Sequence, residues 1–463
     1  MNEVATGMIH GDPIAPVILG VTSILLFAVI GRVVARRLGQ PTVLGELVMG
    51  IVLGNVAWYL GVDLVTVLRE GPRVFEVVNQ VLAGNPTDEV AALLFGAENG
   101  AEIARIITGP QGGQLVQVAH TVDVFSRYGL IFMLFMVGLE TDLDQMRRVG
   151  ADSIRVAVIG VAAPFVFGFA VVTWLLPQTS LESHLFVAAT LGATSIGITA
   201  NVLREIKRIK SREGHIVLGA AICDDILGLV MLAVVTGIVV TGSIDVSEIV
   251  IVIVMSGLFL ASAIWLGPVV VRFAARIMGK LDIVEAKMFT SYLFVMVLAW
   301  AANLAGLATI IGAFAAGIVL SDSFFRDYEI AGSQRTSIRQ LIMPLEVILV
   351  PIFFILMGMQ VKLESFLSWP VVAVAGALLV AAVIGKLVSG LGAGRKANRW
   401  IVGFGMLPRG EVGLVFAAIG RTLGVIDDAV FSAMVLMIIV TTLAAPPLLK
   451  LAVSRQERRA AAA

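Results

Sequence analysis

Long apolar stretches, separated by short polar or glycine-rich segments, run through most of this chain. A helix of roughly 20 apolar residues is long enough to cross the hydrocarbon core of a bilayer. On that criterion the pattern predicts thirteen membrane spans, with ends defined to within a few residues. The predicted spans lie at about 15–37, 41–60, 120–140, 151–176, 182–203, 214–240, 247–275, 285–304, 306–321, 338–359, 369–393, 398–423 and 428–451. The sequence therefore predicts an all-α membrane protein.

Basic residues cluster in alternate predicted loops, and the loops between them hold acidic side chains instead. The basic clusters are Arg147 and Arg148; Arg204, Lys207, Arg208, Lys210 and Arg212; Arg272, Arg276, Lys280 and Lys287; Arg326, Arg335 and Arg339; Arg395, Lys396 and Arg399; and Lys450, Arg455, Arg458 and Arg459. The positive-inside rule places such loops in the cytoplasm. The segment before the first span also lacks the basic region of a signal peptide. We therefore expect the N-terminus outside and the C-terminus inside.

The composition also indicates a membrane protein, and it excludes several kinds of site and partner. The 463 residues are 58% hydrophobic and 14% charged, whereas a soluble domain carries about 25% charged residues. Lys and Arg balance Asp and Glu at 33 each, so nothing attracts nucleic acid. Cys223 is the single cysteine, which excludes intrachain disulfides and cysteine-based metal sites. We expect a multi-pass protein of the cell (inner) membrane.

Two pairs of segments resemble each other in the same order. Residues 42–53 match residues 309–320 in glycine register, and residues 135–139 resemble residues 355–359 in the following span. The second span thus corresponds to the ninth and the third to the tenth. An offset of seven spans is odd, so the two copies have opposite orientations. Inverted repeats of this kind are typical of secondary transporters.

The repeat suggests one integral membrane domain over residues 1–463. Its two copies would occupy about 41–240 and 285–451, followed by a cytoplasmic tail at about 452–463. Residues 61–119 form the one long loop, on the outer side, with helices expected at 69–81 and 87–107. We predict a cap or a partner surface there and no chemistry.

Asp224 and Asp225 lie side by side in an apolar run at residues 215–240. A charge at that depth costs several kcal/mol, so such residues usually face a cavity or a partner. The pair therefore predicts an ion or proton site, the alternative being a structural pair satisfied by neighbouring helices. Lys386 is the other deep charge, and it needs a carboxylate opposite it to stay charged. Adjacent helix positions point about 100° apart, so one aspartate can face Lys386 while the other faces a cavity.

Two predicted spans look like poor continuous helices, the fifth around residues 192–199 and the twelfth around residues 403–413. Glycine and proline weaken a helix, and such breaks are tolerated in a membrane where the freed backbone lines a cavity. The half-helix ends would face one another, and their carbonyl oxygens could coordinate a cation. The hydroxyls of Thr194, Ser195 and Thr199 either serve that site or bond to their own helix.

Arg409 and Glu411 lie two positions apart at the second break. They cannot share a helix face, although they can reach opposite neighbours. We expect them to hold the broken helix against dipole ends rather than to contact the ion directly.

With these residues the chain resembles the monovalent cation–proton antiporter superfamily, in its Kef-like and NapA-type sodium/hydrogen exchanger branch. The resemblance covers nearly all predicted spans. It is carried by Gln-Pro-Thr-Val-Leu-Gly-Glu at 40–46, Leu-Phe-Met-Val-Gly-Leu-Glu at 134–140, Ala-Thr-Ser at 193–195, Asp224, Asp225, Lys386, and Pro-Arg-Gly-Glu at 408–411. The long loop at 61–119 departs from the family's pattern.

The resemblance implies a homodimer with crossed broken helices in a core domain. It implies cation binding at Asp225 with help from Thr194 and Ser195, an ion pair of Asp224 with Lys386, and a role in pH homeostasis. No cofactor is implied, since Na+ or K+ and H+ are substrates. The expected activity is exchange of Na+, with Li+ following Na+, for protons by alternating access; K+/H+ antiport of the Kef-like type is the alternative.

The acidic pair also suggests a stoichiometry. We expect Asp225 to release one proton when the cation binds and the Asp224–Lys386 pair to release a second, which makes exchange electrogenic. A cation channel is the alternative from another class, although no filter loop is present. An intramembrane aspartyl protease needs two aspartates facing each other across a substrate, which consecutive residues of one helix cannot do. We therefore expect a transporter and not an enzyme.

Overall fold

The structure is a computed structural model that describes residue 12 and residues 14–140, 150–209, 211–241, 246–278, 281–328, 336–409 and 411–461. All regular secondary structure in these ranges is helical. The α-helices are α1 (Ala15–Arg37), α2 (Thr42–Tyr59), α3 (Asp63–Glu70), α4 (Pro72–Leu82), α5 (Thr87–Phe95), α6 (Ala97–Thr108), α7 (Gly112–Glu140), α8 (Ala151–Leu175), α9 (Leu181–Thr190), α10 (Ile196–Glu205), α11 (Arg212–Thr241), α12 (Val246–Met278), α13 (Ile283–Leu304), α14 (Thr309–Val319), α15 (Ile338–Met359), α16 (Trp369–Ser389), α17 (Arg399–Gly405), α18 (Glu411–Thr422) and α19 (Asp428–Ala461).

The chain divides into two compact units. The first holds Met1–Tyr128 and Pro351–Gln360, and the second holds Gly129–Val350 and Val361–Ala463. Helices α7 and α15 each contribute residues to both units.

In the first unit, α1 and α2 pack backbone to backbone. A methyl group on Gly31 or Gly45 would overlap the backbone of the other helix, so only glycine allows this approach. Next to this contact Arg32 pairs with Glu46, whose side chain is completely buried. The ion pair supplies the partner that a buried carboxylate needs.

The predicted outer loop at 61–119 contains four short helices and not two. The expected helix at 69–81 is divided at Gly71 and that at 87–107 is divided at Gly96. These glycines have φ values of 69° and 82°, a left-handed conformation that glycine adopts without steric cost. Val77, Ala91 and Ala104 form the small apolar core of this segment.

The second unit contains two apolar clusters. One joins α7, α12, α13, α14 and α15 around Phe132, Phe294 and Phe325. The other joins α8, α10, α11, α17 and α19 around Val217 and Met406. The second cluster packs the two broken segments against α11, the helix that carries the acidic pair.

Within the described residues, ten helices are long and apolar enough to cross a membrane. Thr309–Val319 and Val412–Thr422 are shorter apolar helices, and the count of thirteen spans stays a prediction. Three predicted ends differ by more than three residues. Helix α7 begins at Gly112 rather than at 120. Helix α16 ends at Ser389 rather than at 393, because a 3-10 turn at Gly390–Ala393 follows it. Helix α19 contains Pro446 and Pro447 and continues to Ala461, so the predicted tail is largely helical.

The proposed repeat has a counterpart in the packing of four glycines. In the first unit Gly50 and Gly358 lie against each other, and in the second Gly138 and Gly317 do the same. In the sequence match Gly50 corresponds to Gly317 and Gly138 to Gly358. The same two positions therefore meet in each unit, with the copies exchanged, and the repeat itself stays a prediction.

Candidate functional site

The fifth predicted span is broken, as its glycines and hydroxyls indicated. Helix α9 begins after Ser180, whose side chain accepts a hydrogen bond from the Ser183 amide, and it ends at Thr190. Helix α10 begins at Ile196. The residues between them leave the helical path in the middle of a buried segment, where their carbonyl oxygens need partners.

The twelfth predicted span is broken in the same way. Asn398 accepts hydrogen bonds from the amides of Trp400 and Ile401 and so begins α17, which ends at Gly405. Helix α18 begins at Glu411, but the side chain of Glu411 lies outside the part of the chain that the structure describes. The expected holding role of Glu411 therefore stays a prediction.

The two breaks contact each other through hydrogen bonds. The Ser195 amide donates to the Pro408 carbonyl at 2.9 Å. The Thr194 hydroxyl donates to the Met406 carbonyl at 3.3 Å, and the Thr199 hydroxyl donates to the Gly405 carbonyl at 2.9 Å. Among the described residues, the hydroxyls of Thr194 and Thr199 thus donate to the other break and not to their own helix.

Two cations lie at the carbonyl end of α9. The Lys386 ammonium donates to the Gly192 carbonyl at 2.5 Å. The Arg409 guanidinium donates to the carbonyls of Ala193 and Thr190 at 3.1 and 3.3 Å. The C-terminal end of a helix carries a partial negative charge, so both cations are stabilised there. Each of these carbonyls accepts a hydrogen bond from a protein donor.

Lys386 also reaches the acidic pair. Its Nζ lies 3.3 Å from Oδ2 of Asp224, and the exposed fractions are 0% for Lys386 and 1% for Asp224. Gly385 brings the lysine into place, because its bare backbone lies directly against Pro164 of α8. The Asp224–Lys386 pair is therefore fully desolvated, and each charge depends on the other.

A cavity of about 820 Å³ lies between the first turn of α8 and the first half of α11. Exposed Arg212 and His215 lie on its wall, so it opens to solvent. At its mouth Asp152 pairs with Arg212 at 3.0 Å. On α11 the wall ends at Ile222, one turn before the acidic pair.

One residue close to the contact between the two breaks was not singled out from the sequence. Thr442 of α19 is buried, and its hydroxyl donates to the backbone carbonyl of Arg409. Two adjacent hydroxyls, Thr441 and Thr442, inside an otherwise apolar span were the signal that could have indicated it. Its position fixes the backbone from which Arg409 extends.

The structure therefore brings Asp224, Lys386 and Arg409 to the same break. Thr194 and Ser195 lie at that break as well, engaged with the second break. Asp225 is the next residue of α11 and is 6% exposed.

The family described as "Sodium/hydrogen exchanger, transmembrane" matches residues 23–454 of this chain. The chain belongs to the sodium/hydrogen exchanger family. This match confirms the expected membership of the monovalent cation–proton antiporter superfamily. Since the family is one of transporters, it also supports the expectation of a transporter and not an enzyme. With its ten long apolar helices, this member of the family is a multi-pass protein of the cell membrane.

Several members of known name are similar to it. The chain is 34% identical over 437 residues to the "High-affinity Na(+)/H(+) antiporter NhaS3" of Synechocystis, covering 92% of this chain and 87% of the relative. It is 31% identical over 352 residues to the "Na(+)/H(+)-K(+) antiporter GerN" of Bacillus cereus, covering 73% and 85%.

The fold also resembles a solved structure. The sodium proton antiporter MjNhaP1 of Methanocaldococcus jannaschii at pH 8 aligns with a TM-score of 0.58 over 95% of this chain and 99% of that one. At 16% identity this likeness concerns the fold alone.

The ion pair predicts a characteristic stability pattern. Lys386→Met should destabilise the protein by about 3–5 kcal/mol, because it leaves the Asp224 carboxylate buried without a partner. Adding Asp224→Asn should restore much of that loss. Melting temperatures in detergent measure both effects.

The exposed pair of Asp63 and Arg105 provides the control. Arg105→Met should cost no more than about 1 kcal/mol, since solvent screens such pairs. An unchanged melting temperature in Lys386→Met would contradict an essential buried pair.

Proposed function

We propose that this protein exchanges Na+ or Li+ for protons by alternating access, with Asp225 as the shared binding group. The observation that carries the proposal is that the two aspartates of the acidic pair have different surroundings. Asp224 is engaged by Lys386 at 3.3 Å, whereas the solvent-accessible cavity leads along α11 toward Asp225.

The helical phase of α11 supports this assignment. The cavity wall on this helix includes Arg212, His215, Gly219 and Ile222, which recur every three or four residues and so share one face. Asp225 follows Ile222 by three positions and lies within about 60° of it around the helix. Asp224 follows by two positions and points about 160° away. A cation that moves along this face meets Asp225 first.

Competition for the same oxygens produces the exchange. A proton or a dehydrated cation occupies Asp225, and each carrier alone permits the switch between outward and inward states. Thr194 can add its hydroxyl oxygen, because its proton is directed at the Met406 carbonyl and its lone pairs remain. Ser195 lies beside it at the same break.

The names of the relatives favour Na+ over K+ as the exchanged ion. NhaS3 is named as a Na+/H+ antiporter. GerN is named as a "Na(+)/H(+)-K(+) antiporter", so K+/H+ exchange is the second candidate.

The acidic pair also supports an electrogenic stoichiometry, in which Asp225 releases one proton and Lys386 a second for each cation bound. In this arrangement the cavity faces the cytoplasm, because Arg212 on its wall belongs to a basic loop. The proposal includes the orientation with the N-terminus outside and a homodimer. Light scattering of the purified protein measures the oligomeric state.

Asp225→Asn should abolish exchange with Na+, Li+ and K+ alike, because the amide cannot carry the exchanged proton or balance a cation. Fluxes in proteoliposomes with each cation tested separately measure this. Asp63→Asn, in an exposed ion pair, is the matched control and should retain exchange. Retained exchange in Asp225→Asn would place the site elsewhere.

An imposed membrane potential should change the rate of exchange. Two protons against one cation move one net charge per cycle, worth about 2.3 kcal/mol per 100 mV. An inside-negative potential set with a potassium ionophore should drive Na+ out of proteoliposomes by drawing protons in. A rate of exchange that does not change with the imposed potential would contradict this stoichiometry.

Ile222→Cys in a Cys223→Ala background should react with a membrane-impermeant thiol reagent. The reaction should be faster from the cytoplasmic side, since Ile222 lines the cavity. Leu232→Cys is the control, because Leu232 lies farther along α11 and is completely buried. Faster reaction from the outer side would reverse the proposed orientation.

A further inference from the structure

The Arg409 guanidinium is a buried charge without an ion-pair partner among the described residues. Its exposed fraction is 0%, and its contacts are the carbonyls of Thr190 and Ala193. Within the same residues, its Nε and Nη2 atoms have no hydrogen-bond partner. Burying a full charge without a direct ion pair is costly, so a charge at this position needs an explanation beyond packing.

The other half-helix end shows that its carbonyls need donors but not charge. At the end of α17, the carbonyls of Gly405, Met406 and Pro408 accept hydrogen bonds from two hydroxyls and one amide, all of them neutral. At the end of α9 the equivalent partners are the cations of Lys386 and Arg409. A neutral donor could satisfy Ala193 as Thr199 satisfies Gly405.

The charge of Arg409 lies close to the proposed proton carrier. Lys386 and Arg409 donate to consecutive carbonyls, those of Gly192 and Ala193. Asp224 pairs with the same lysine. Charges in a water-poor interior act on one another far more strongly than in water. The protonation of Lys386 is therefore coupled to the charge on Arg409.

We propose that Arg409 is a positioning residue that allows Lys386 to release its proton when a cation binds at Asp225. With the cation bound and Lys386 neutral, two carboxylates and one cation leave one negative charge, which Arg409 balances. Without Arg409 the same state is negative, and the site is neutral only if Lys386 keeps its proton. The proton that leaves the ammonium goes to water, and Lys386 remains as the amine. This inference rests on the proposed antiport function.

The test is the number of protons exchanged per cation in proteoliposomes, measured from the ion gradients at which flux reverses and from how far an imposed membrane potential shifts that point. Wild type should exchange two protons per cation. Arg409→Gln should exchange one and become insensitive to potential, whereas Arg409→Lys keeps the charge and should keep the wild-type value. A merely structural role for Arg409 would change flux without changing this ratio.

The outcomes separate the inference from the function on which it rests. Wild type without exchange rejects the proposed function, and wild type at one proton per cation rejects the stoichiometry and this inference with it. Arg409→Gln at two protons per cation rejects only the role of Arg409. Arg409→His is a second variant that keeps a neutral N–H donor when deprotonated. If Arg409→Gln and Arg409→His both fail to fold while Arg409→Lys folds, the charge serves stability and the inference is overturned.

Discussion

The ion pair between Asp224 and Lys386 is the interaction on which the rest of the site depends. Both side chains are fully desolvated, and the lysine also holds the Gly192 carbonyl at the first break. One ammonium thus links the acidic helix α11 to the end of α9. Any change in the charge of Lys386 therefore acts on the carboxylate and on the broken helix together, which is what coupling between ion binding and conformation requires.

The two breaks provide a rigid frame around that pair. Hydroxyl and amide donors from the first break satisfy the carbonyls of the second, and Arg409 from the second satisfies those of the first. The exchange is reciprocal, because each break supplies hydrogen-bond donors to carbonyls of the other. These carbonyl oxygens therefore already accept hydrogen bonds from the protein.

The sequence predicts what must be buried or broken but not which groups meet. The cost of burial marks Asp224 and Lys386 from their positions inside apolar runs. Glycines mark both breaks, and Pro408 marks the second. The bond from Thr194 to Met406 joins residues more than 200 positions apart, and no local pattern encodes it. The division of the outer loop depends on two glycines, Gly71 and Gly96, whose backbone angles only the folded chain shows.

Helix α19 holds a hydrogen bond to the second break and, about one turn later, two prolines. Thr442 fixes the carbonyl of Arg409, and Pro446 follows four positions later. Proline lacks an amide hydrogen, so the carbonyl of Thr442 receives no helical hydrogen bond and the helix bends there at little cost. The segment beyond the prolines pairs with Arg208 through Glu457, so a bend at Pro446 would move this segment and leave the Thr442 contact in place. We expect a force on the C-terminal segment of α19 to bend the helix at Pro446 and Pro447 before it moves Arg409.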